Sequence, residues 1–83
     1  MEPIVIDGRA YPVQEEQFPL TLTDPFMYGD NTRKLQVYLN KVYQAGLREH
    51  GIYGQATDAA VKKHLEVKEI PEERMAIINA YKG

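Results

Sequence analysis

Apolar residues recur at helical spacing in the middle of the chain. Four of them, at positions i, i+3, i+4 and i+7, share one helix face: Leu35, Tyr38, Leu39 and Val42. The Asp-Asn-Thr run at 30–32 offers oxygens that can accept backbone N–H groups at a helix start. Gly46 can adopt the left-handed conformation that ends a helix. The pattern predicts a helix over residues 32–45, with Lys34 and Lys41 on its solvent side.

Two shorter helices are predicted downstream. The inner face of the first is formed by Ala60, Val61, His64 and Leu65. Thr57 is its expected N-cap. The last helix begins near Pro71, and its apolar side carries Met75, Ile78 and Tyr81. We therefore expect a body of three helices over residues 30–83.

The first 29 residues show a different pattern. Residues 4–6 and 9–13 flank an Asp7-Gly8 pair, which is typical of a β-hairpin with a type I′ turn. Phe18, Leu20 and Leu22 then alternate with polar or proline positions, which favours an extended segment. The predicted fold class is mainly α: a three-helix bundle preceded by an extended arm, residues 1–29, with a short hairpin.

The arm has two possible destinations. Because an isolated hairpin is only marginally stable in water, its apolar residues must be covered. They can cover the chain's own body, or they can dock on a neighbouring subunit by strand addition. The candidate docking residues are Ile4, Ile6, Tyr11, Phe18, Leu20, Leu22 and Phe26.

A spaced motif joins the first two predicted helices. It begins with Leu35-Gln36 and Leu39, continues with Gly51-Ile52-Tyr53-Gly54, and ends with Thr57 and Ala60-Val61. This pattern, over about 31 residues, resembles the peptidoglycan-binding domain family, a small three-helix module. The resemblance implies a three-helix fold and cell-wall glycan as a ligand.

The chain departs from the family pattern at two places. His50 stands where the family usually has Asp before the first loop glycine. His64-Leu65 stand where it usually has Phe-Gln at the end of the second helix. The arm has no counterpart in the family pattern. We expect His64 to be a partly buried core residue and His50 to make a local hydrogen bond in the loop.

Composition excludes several kinds of chemistry. The chain has 83 residues, enough for one compact domain, and it contains neither Cys nor Ser. The two commonest covalent nucleophiles are therefore absent. Two histidines without clustered acids do not supply the three or four ligands of a zinc site. The prediction is a protein that is not an enzyme and holds no cofactor or metal.

Charge is distributed unevenly. Residues 1–31 contain six acids and one base, whereas residues 32–83 contain nine bases and six acids. Binding to nucleic acid needs a denser basic face, so it is not expected. Nor is a membrane partner, because no apolar run approaches the ~20 residues of a spanning helix. The start of the chain lacks the features of a signal peptide, so synthesis in the cytoplasm is expected.

Two function hypotheses follow. The first is a non-catalytic assembly module, such as a small structural component of a phage virion, whose arm docks on a neighbouring subunit. The alternative is a module that binds peptidoglycan. Since aromatic residues anchor both sugars and protein partners, Tyr43 and Tyr53, with Gln55, are the candidate binding residues for either ligand.

Overall fold

The structure is a computed structural model, and it describes residues 1–81. In chain order the elements are β1 Ile4–Ile6, β2 Arg9–Tyr11, β3 Val13–Glu15, β4 Phe26–Tyr28, α1 Asp30–Tyr43, β5 Ile52–Tyr53, α2 Gln55–Ala60 and α3 Glu72–Asn79. A π-helical turn, Val61–Leu65, continues α2 without a break. The expected order of three helices after an extended segment is present.

The mainly α fold class and the three-helix bundle are wrong. Of the described residues, about 41% are helical and 20% are in strands, and their five strands form two sheets, which makes a mixed α/β fold. The error arose in two short segments. Residues 14–17 look like a polar interruption, yet β3 includes Gln14 and Glu15; residues 26–28 look like an apolar cluster before a glycine, yet they form β4.

The first sheet is the predicted hairpin. Strands β1 and β2 pair antiparallel, with Ile4 opposite Tyr11 and Ile6 opposite Arg9. Asp7 and Gly8 both have positive φ, 52° and 78°, as a type I′ turn requires. The hairpin is therefore confirmed in position and in turn type.

The second sheet joins the predicted arm to the predicted body. Strand β4 is central: it pairs parallel with β3, Val13 opposite Phe26, and antiparallel with β5, Met27 opposite Tyr53. Within the extended segment expected over residues 18–23, Leu20 belongs to no strand. It instead makes an isolated antiparallel bridge to Ile70, through two backbone hydrogen bonds of 2.8 and 2.9 Å. The segment thus folds back on its own chain.

The helix ends differ in detail from the prediction. Helix α1 runs two residues earlier than expected at each end, and its left-handed C-cap is Gln44 (φ 54°) rather than Gly46. Helix α2 begins after Gly54, so Thr57 lies within the helix and is not its cap. Pro71 directly precedes α3 in extended conformation, which agrees with the predicted start.

A single apolar core joins both parts of the chain. Its buried members are Leu20, Met27, Leu35, Leu39, Tyr53, Ala60, Val61, Ile70, Met75 and Ile78. Two residues predicted for core faces are more exposed: Val42 on α1, and Tyr81 just after α3. Since Tyr81 remains near α1 without being covered, the C-terminal end of α3 and the exposed side of α1 border an open groove.

Candidate binding face on helices α1 and α3

One side of α1 holds the loop that carries the sequence motif. The side chain of Gln36 is wholly buried. Its Nε2 donates to the carbonyl of Ile52 (2.9 Å) and to Oγ1 of Thr57 (3.0 Å), and its Oε1 accepts from the backbone N–H of Gly51 (2.9 Å). These three hydrogen bonds hold residues 51–57 against α1. The Gln36, Gly51 and Thr57 positions of the motif are therefore explained by one buried hydrogen-bond network.

Asn40, one turn further along the same side, holds the start of the connection. Its Nδ2 donates to the carbonyl of Leu47 (2.8 Å) and to Glu49 (2.9 Å), and its Oδ1 accepts from the N–H of Leu47 (2.8 Å). We call Gln36 and Asn40 the latch. Residues 44–51 form no helix or strand, and the hydrogen bonds of these two side chains hold them against α1.

The start of α1 is capped by a residue from the arm. One carboxylate oxygen of Glu16 accepts from the N–H of Asn31 (2.9 Å), and the other accepts from the N–H and the hydroxyl of Thr32 (2.9 and 3.0 Å). Gly29 leaves the room that this approach needs, because a Cβ there would collide with the Glu16 side chain. The sequence predicts that residues 30–32 cap the helix themselves. In the structure the Glu16 carboxylate accepts the free N–H groups at the start of α1.

The loop itself offers little to a ligand. Tyr53, a candidate binding residue, is wholly buried, so its ring packs in the core and not against a ligand. Burial, and then the nearby charge of Asp58, raise the pKa of the Tyr53 hydroxyl. Gln55 is exposed at the first position of α2. The expected local bond of His50 is present: its Nδ1 accepts from the N–H of Ile52 at 3.1 Å.

The opposite side of α1 faces an open groove of about 620 Å³. We call it the α1–α3 groove. It is lined by Asp30, Arg33, Lys34, Val37, Tyr38 and Lys41 from α1, by Ile78 and Asn79 at the end of α3, and by Tyr81 just after it. The spacing of the α1 residues follows one helix face, which is the solvent face that the sequence predicts for Lys34 and Lys41.

Aromatic rings form a continuous series along this region. Tyr38 contacts Tyr81 edge-to-face at 5.3 Å between ring centroids and Tyr43 at 6.3 Å, and Tyr43 stacks on His64 at 4.8 Å. We call these four residues the aromatic series. Burial, followed by the neighbouring Tyr43 and Tyr81, raises the pKa of Tyr38. The central ring is thus fixed by its neighbours, while Tyr43 and Tyr81 keep exposed surface.

The groove is rich in positive charge. Three of its lining residues are cationic, Arg33, Lys34 and Lys41, and one, Asp30, is anionic. Within residues 1–81, the ion pairs are Arg48–Asp7 and Lys62–Asp58, so none of the three groove cations has a carboxylate within 4.0 Å. Asp30 lies in the first turn of α1, where a negative charge interacts favourably with the helix dipole.

The predicted docking residues of the arm are mostly engaged within the chain. Leu20 is wholly buried, and Phe18 packs against the core. Four others are partly buried in the two sheets: Ile4, Ile6, Tyr11 and Phe26. Leu22 is the exposed member of the set. The structure therefore does not gather these seven residues into one open surface.

The described residues also bear on metal binding and on membrane insertion. Over residues 1–81, no group of three or more His, Asp or Glu side chains could hold a metal ion. In the same part of the chain, every helix is too short or too polar to span a bilayer. The α1–α3 groove is an open concave surface on the described part of the chain.

Comparison with protein-family models, with curated proteins and with solved structures found no match for this chain. The resemblance to the peptidoglycan-binding domain family therefore stays a prediction. It rests on the sequence motif, in which Gln36 is hydrogen-bonded to Gly51 and Thr57.

Sequence reasoning found part of the groove and missed the rest. It placed Tyr38 and Tyr81 on core stripes and the lysines in solvent, without joining them. The available signal was the spacing of Lys34, Tyr38 and Lys41, which are four and three residues apart and so share a face. The position of Tyr81 beside them depends on how α3 packs on α1, and no local pattern reports this.

Proposed function

We propose that this protein is a non-catalytic binding module that binds peptidoglycan in the α1–α3 groove. The observation that carries the proposal is Tyr81, which lies at the edge of the groove with 45% of its surface exposed and its ring held edge-to-face against Tyr38. An exposed ring that is fixed in place loses little entropy when a ligand packs on it.

The chemistry of the groove suits a sugar polymer with charged substituents. Val37 and Ile78 supply an apolar floor beside the two tyrosines, and cationic side chains border it. Ring faces of tyrosine pack on the apolar faces of sugar rings, while the hydroxyl remains available for hydrogen bonds. The resemblance of the motif to the peptidoglycan-binding domain family points to the same ligand.

The carboxyl content of the groove supports binding without hydrolysis. Cleavage of a glycosidic bond generally uses two carboxyl groups on either side of the scissile bond. Among its described lining residues, the groove contains one carboxyl group, Asp30. A module of this kind holds its ligand and leaves the glycan intact.

The test is sedimentation of the purified protein with washed, insoluble peptidoglycan. We expect the unmodified protein to bind saturably and Tyr81→Ala to bind about tenfold more weakly, as is typical of a central aromatic anchor. Ile77→Ala is the matched control, because Ile77 is an exposed apolar residue of α3 (67%) that does not line the groove. No binding by the unmodified protein, or equal loss in both variants, would contradict the proposal.

A second candidate, assembly into a larger particle such as a virion, is favoured by the β1–β2 hairpin. Val5 at the centre of β1 is 68% exposed, and β1 has one neighbour, β2, so its other edge is open. An open edge strand with an exposed apolar residue suits strand addition by a neighbouring subunit. The arm's role in docking would then belong to the hairpin, since residues 13–28 contribute to the chain's own core.

This candidate is tested by deleting residues 1–11, which leaves the core residues in place. If the hairpin docks on a subunit, the tagged, shortened chain should no longer sediment with particles from its native host, while the full chain does. A shortened chain that still sediments with particles would contradict the assembly role.

A further inference from the structure

The cations of the α1–α3 groove form a row along α1. Lys34 and Lys41 are seven residues apart, or two helical turns, which places their Cα atoms about 10 Å apart along the helix axis. Arg33, the residue before Lys34, also lines the groove. The described lining of the groove thus carries three positive charges and one negative charge, that of Asp30. In residues 1–81, no side chain compensates the three cations within ion-pair distance.

Two other cations of the chain are paired with carboxylates. Lys62 pairs with Asp58 at 2.8 Å, and Arg48 pairs with Asp7 at 2.6 Å, although Arg48 and Asp7 are well exposed. Lys63 and Lys68 are exposed outside the groove. The row on α1 is distinguished by its concave setting, because a cleft with walls of low dielectric focuses the field of its charges.

We propose that the groove is selective for anionic ligands, and that Arg33, Lys34 and Lys41 pair with carboxylate or phosphate groups that the ligand carries beside its sugar rings. The proposal rests on the proposed function, since it names the part of a wall polymer that the groove recognises. Arg33 can pair with either group through two parallel N–H donors, whereas the lysines act as point charges. Tyr81 packs on a sugar ring of the ligand beside these anionic groups.

Cell walls present two sources of this chemistry. Peptide stems and the acidic sugar carry carboxylates, and wall-linked polymers of some bacteria carry phosphodiesters. The two can be separated on the same material, because hydrofluoric acid removes phosphodiester-linked polymers, and carbodiimide with ammonia converts carboxylates to amides. The ligand samples are therefore intact wall, acid-treated wall, amidated wall, and wall given both treatments.

The protein variants isolate the row of charges. Lys34→Glu with Lys41→Glu reverses two groove charges; Lys63→Glu with Lys68→Glu makes the same change of net charge elsewhere. We expect roughly tenfold or greater loss of affinity for intact wall in the first double variant, and little loss in the second. Binding by the unmodified protein should weaken as the salt concentration rises from about 0.05 to 0.5 M, since screening shortens the range of charge interactions.

Each outcome is decisive. Loss of binding on amidated wall identifies carboxylates, and loss on acid-treated wall identifies phosphates; either supports the proposal. Equal binding to intact wall and to wall given both treatments, with no effect of the groove reversals, overturns anion selectivity while the proposed function stands. Failure of the unmodified protein to bind any sample overturns both.

Discussion

On one side of α1, Gln36 and Asn40 direct their polar atoms into the connection between α1 and α2, where they make six hydrogen bonds with partners in residues 47–57. On the other side, Arg33, Lys34 and Lys41 border the α1–α3 groove and have no carboxylate partner in residues 1–81. The same helix thus carries polar residues that maintain the fold and polar residues available to a ligand.

The two sides of α1 carry different information: the motif residues report the fold of the loop, and the groove residues form the candidate binding surface. The motif residues Gln36, Gly51 and Thr57 meet in one buried network, so their spacing reports the fold of the loop. The groove cations satisfy no such internal constraint. A resemblance built on the first set carries structural information, and the binding hypothesis must be tested on the second set.

The largest expected effect is on the latch. Gln36→Leu keeps approximate volume but leaves the buried N–H of Gly51 without its acceptor. The Ile52 carbonyl loses one of its two donors and keeps the N–H of Gly54, so we expect a loss of about 2–3 kcal/mol of unfolding free energy. Urea denaturation followed by circular dichroism measures it. Gln17→Leu makes the same change at an exposed position and should cost less than about 0.5 kcal/mol. Similar losses in both variants would remove the distinction between the two sides of α1.

The second largest loss of stability is expected at the N-terminal cap of α1, on which both sides of the helix depend. Glu16→Ala removes the acceptors of two backbone N–H groups and should cost about 1–2 kcal/mol. Glu16→Gln keeps one acceptor oxygen and should lose less. The neighbouring Glu15→Ala, at an exposed residue, is the control in the same denaturation experiment. A Glu16→Ala protein as stable as the control would show that the arm does not secure α1.

A smaller effect concerns pH and the start of the loop. Nδ1 of His50 accepts the Ile52 N–H only while it carries no proton, and burial, followed by the charge of Arg48, lowers the pKa of His50. The folded state therefore favours neutral His50. The contribution of His50 to stability should be complete above about pH 6.5, the ordinary histidine value. It should fall as the pH decreases through that value, because the unfolded chain then binds the proton first.

The variant that tests this is His50→Asn, whose side-chain oxygen can accept the same N–H at every pH in the range. Stabilities at pH 7.5 and pH 5 should differ less in this variant than in the unmodified protein, by about 1 kcal/mol or less, the worth of one hydrogen bond. An unchanged pH dependence would assign the titration to other groups.

The smallest effect is expected at Tyr53. Its buried hydroxyl has no hydrogen-bond partner among the described residues, so Tyr53→Phe should change stability by less than about 1 kcal/mol. The raised pKa of Tyr53 keeps its hydroxyl neutral in the folded state. The resulting contribution to the free energy of unfolding is therefore complete below about pH 10 and is lost as the pH rises above that value. The Phe variant should lose less stability at alkaline pH. A loss above about 2 kcal/mol at neutral pH would reveal an unrecognised partner of the hydroxyl.

Local patterns predicted those elements that local chemistry determines. The hairpin follows from Asp7-Gly8, and α1 follows from its apolar stripe, within two residues at each end. The three-stranded sheet did not follow, because β3 and β4 are three residues each and pair in parallel across a long connection. Strands so short leave no period in the sequence, and their pairing depends on tertiary contacts.

The candidate site shows the same division. Tyr43 keeps exposed surface, as a binding residue must, but Tyr53 is buried because it belongs to the apolar core that β5 helps to form. Aromatic residues in a glycine-flanked loop look alike in sequence whether they point inward or outward. The groove required knowledge of where α3 ends relative to α1, which only packing determines.

The most direct test of the account is amide chemical-shift mapping of the labelled protein with soluble peptidoglycan fragments. If α1 divides into a structural side and a binding side, the perturbed amides should cluster at residues 33–41 and 78–81, with smaller changes at residues 50–57. Perturbations centred on residues 50–57, or on the hairpin at residues 4–11, would contradict the assignment of binding to the α1–α3 groove.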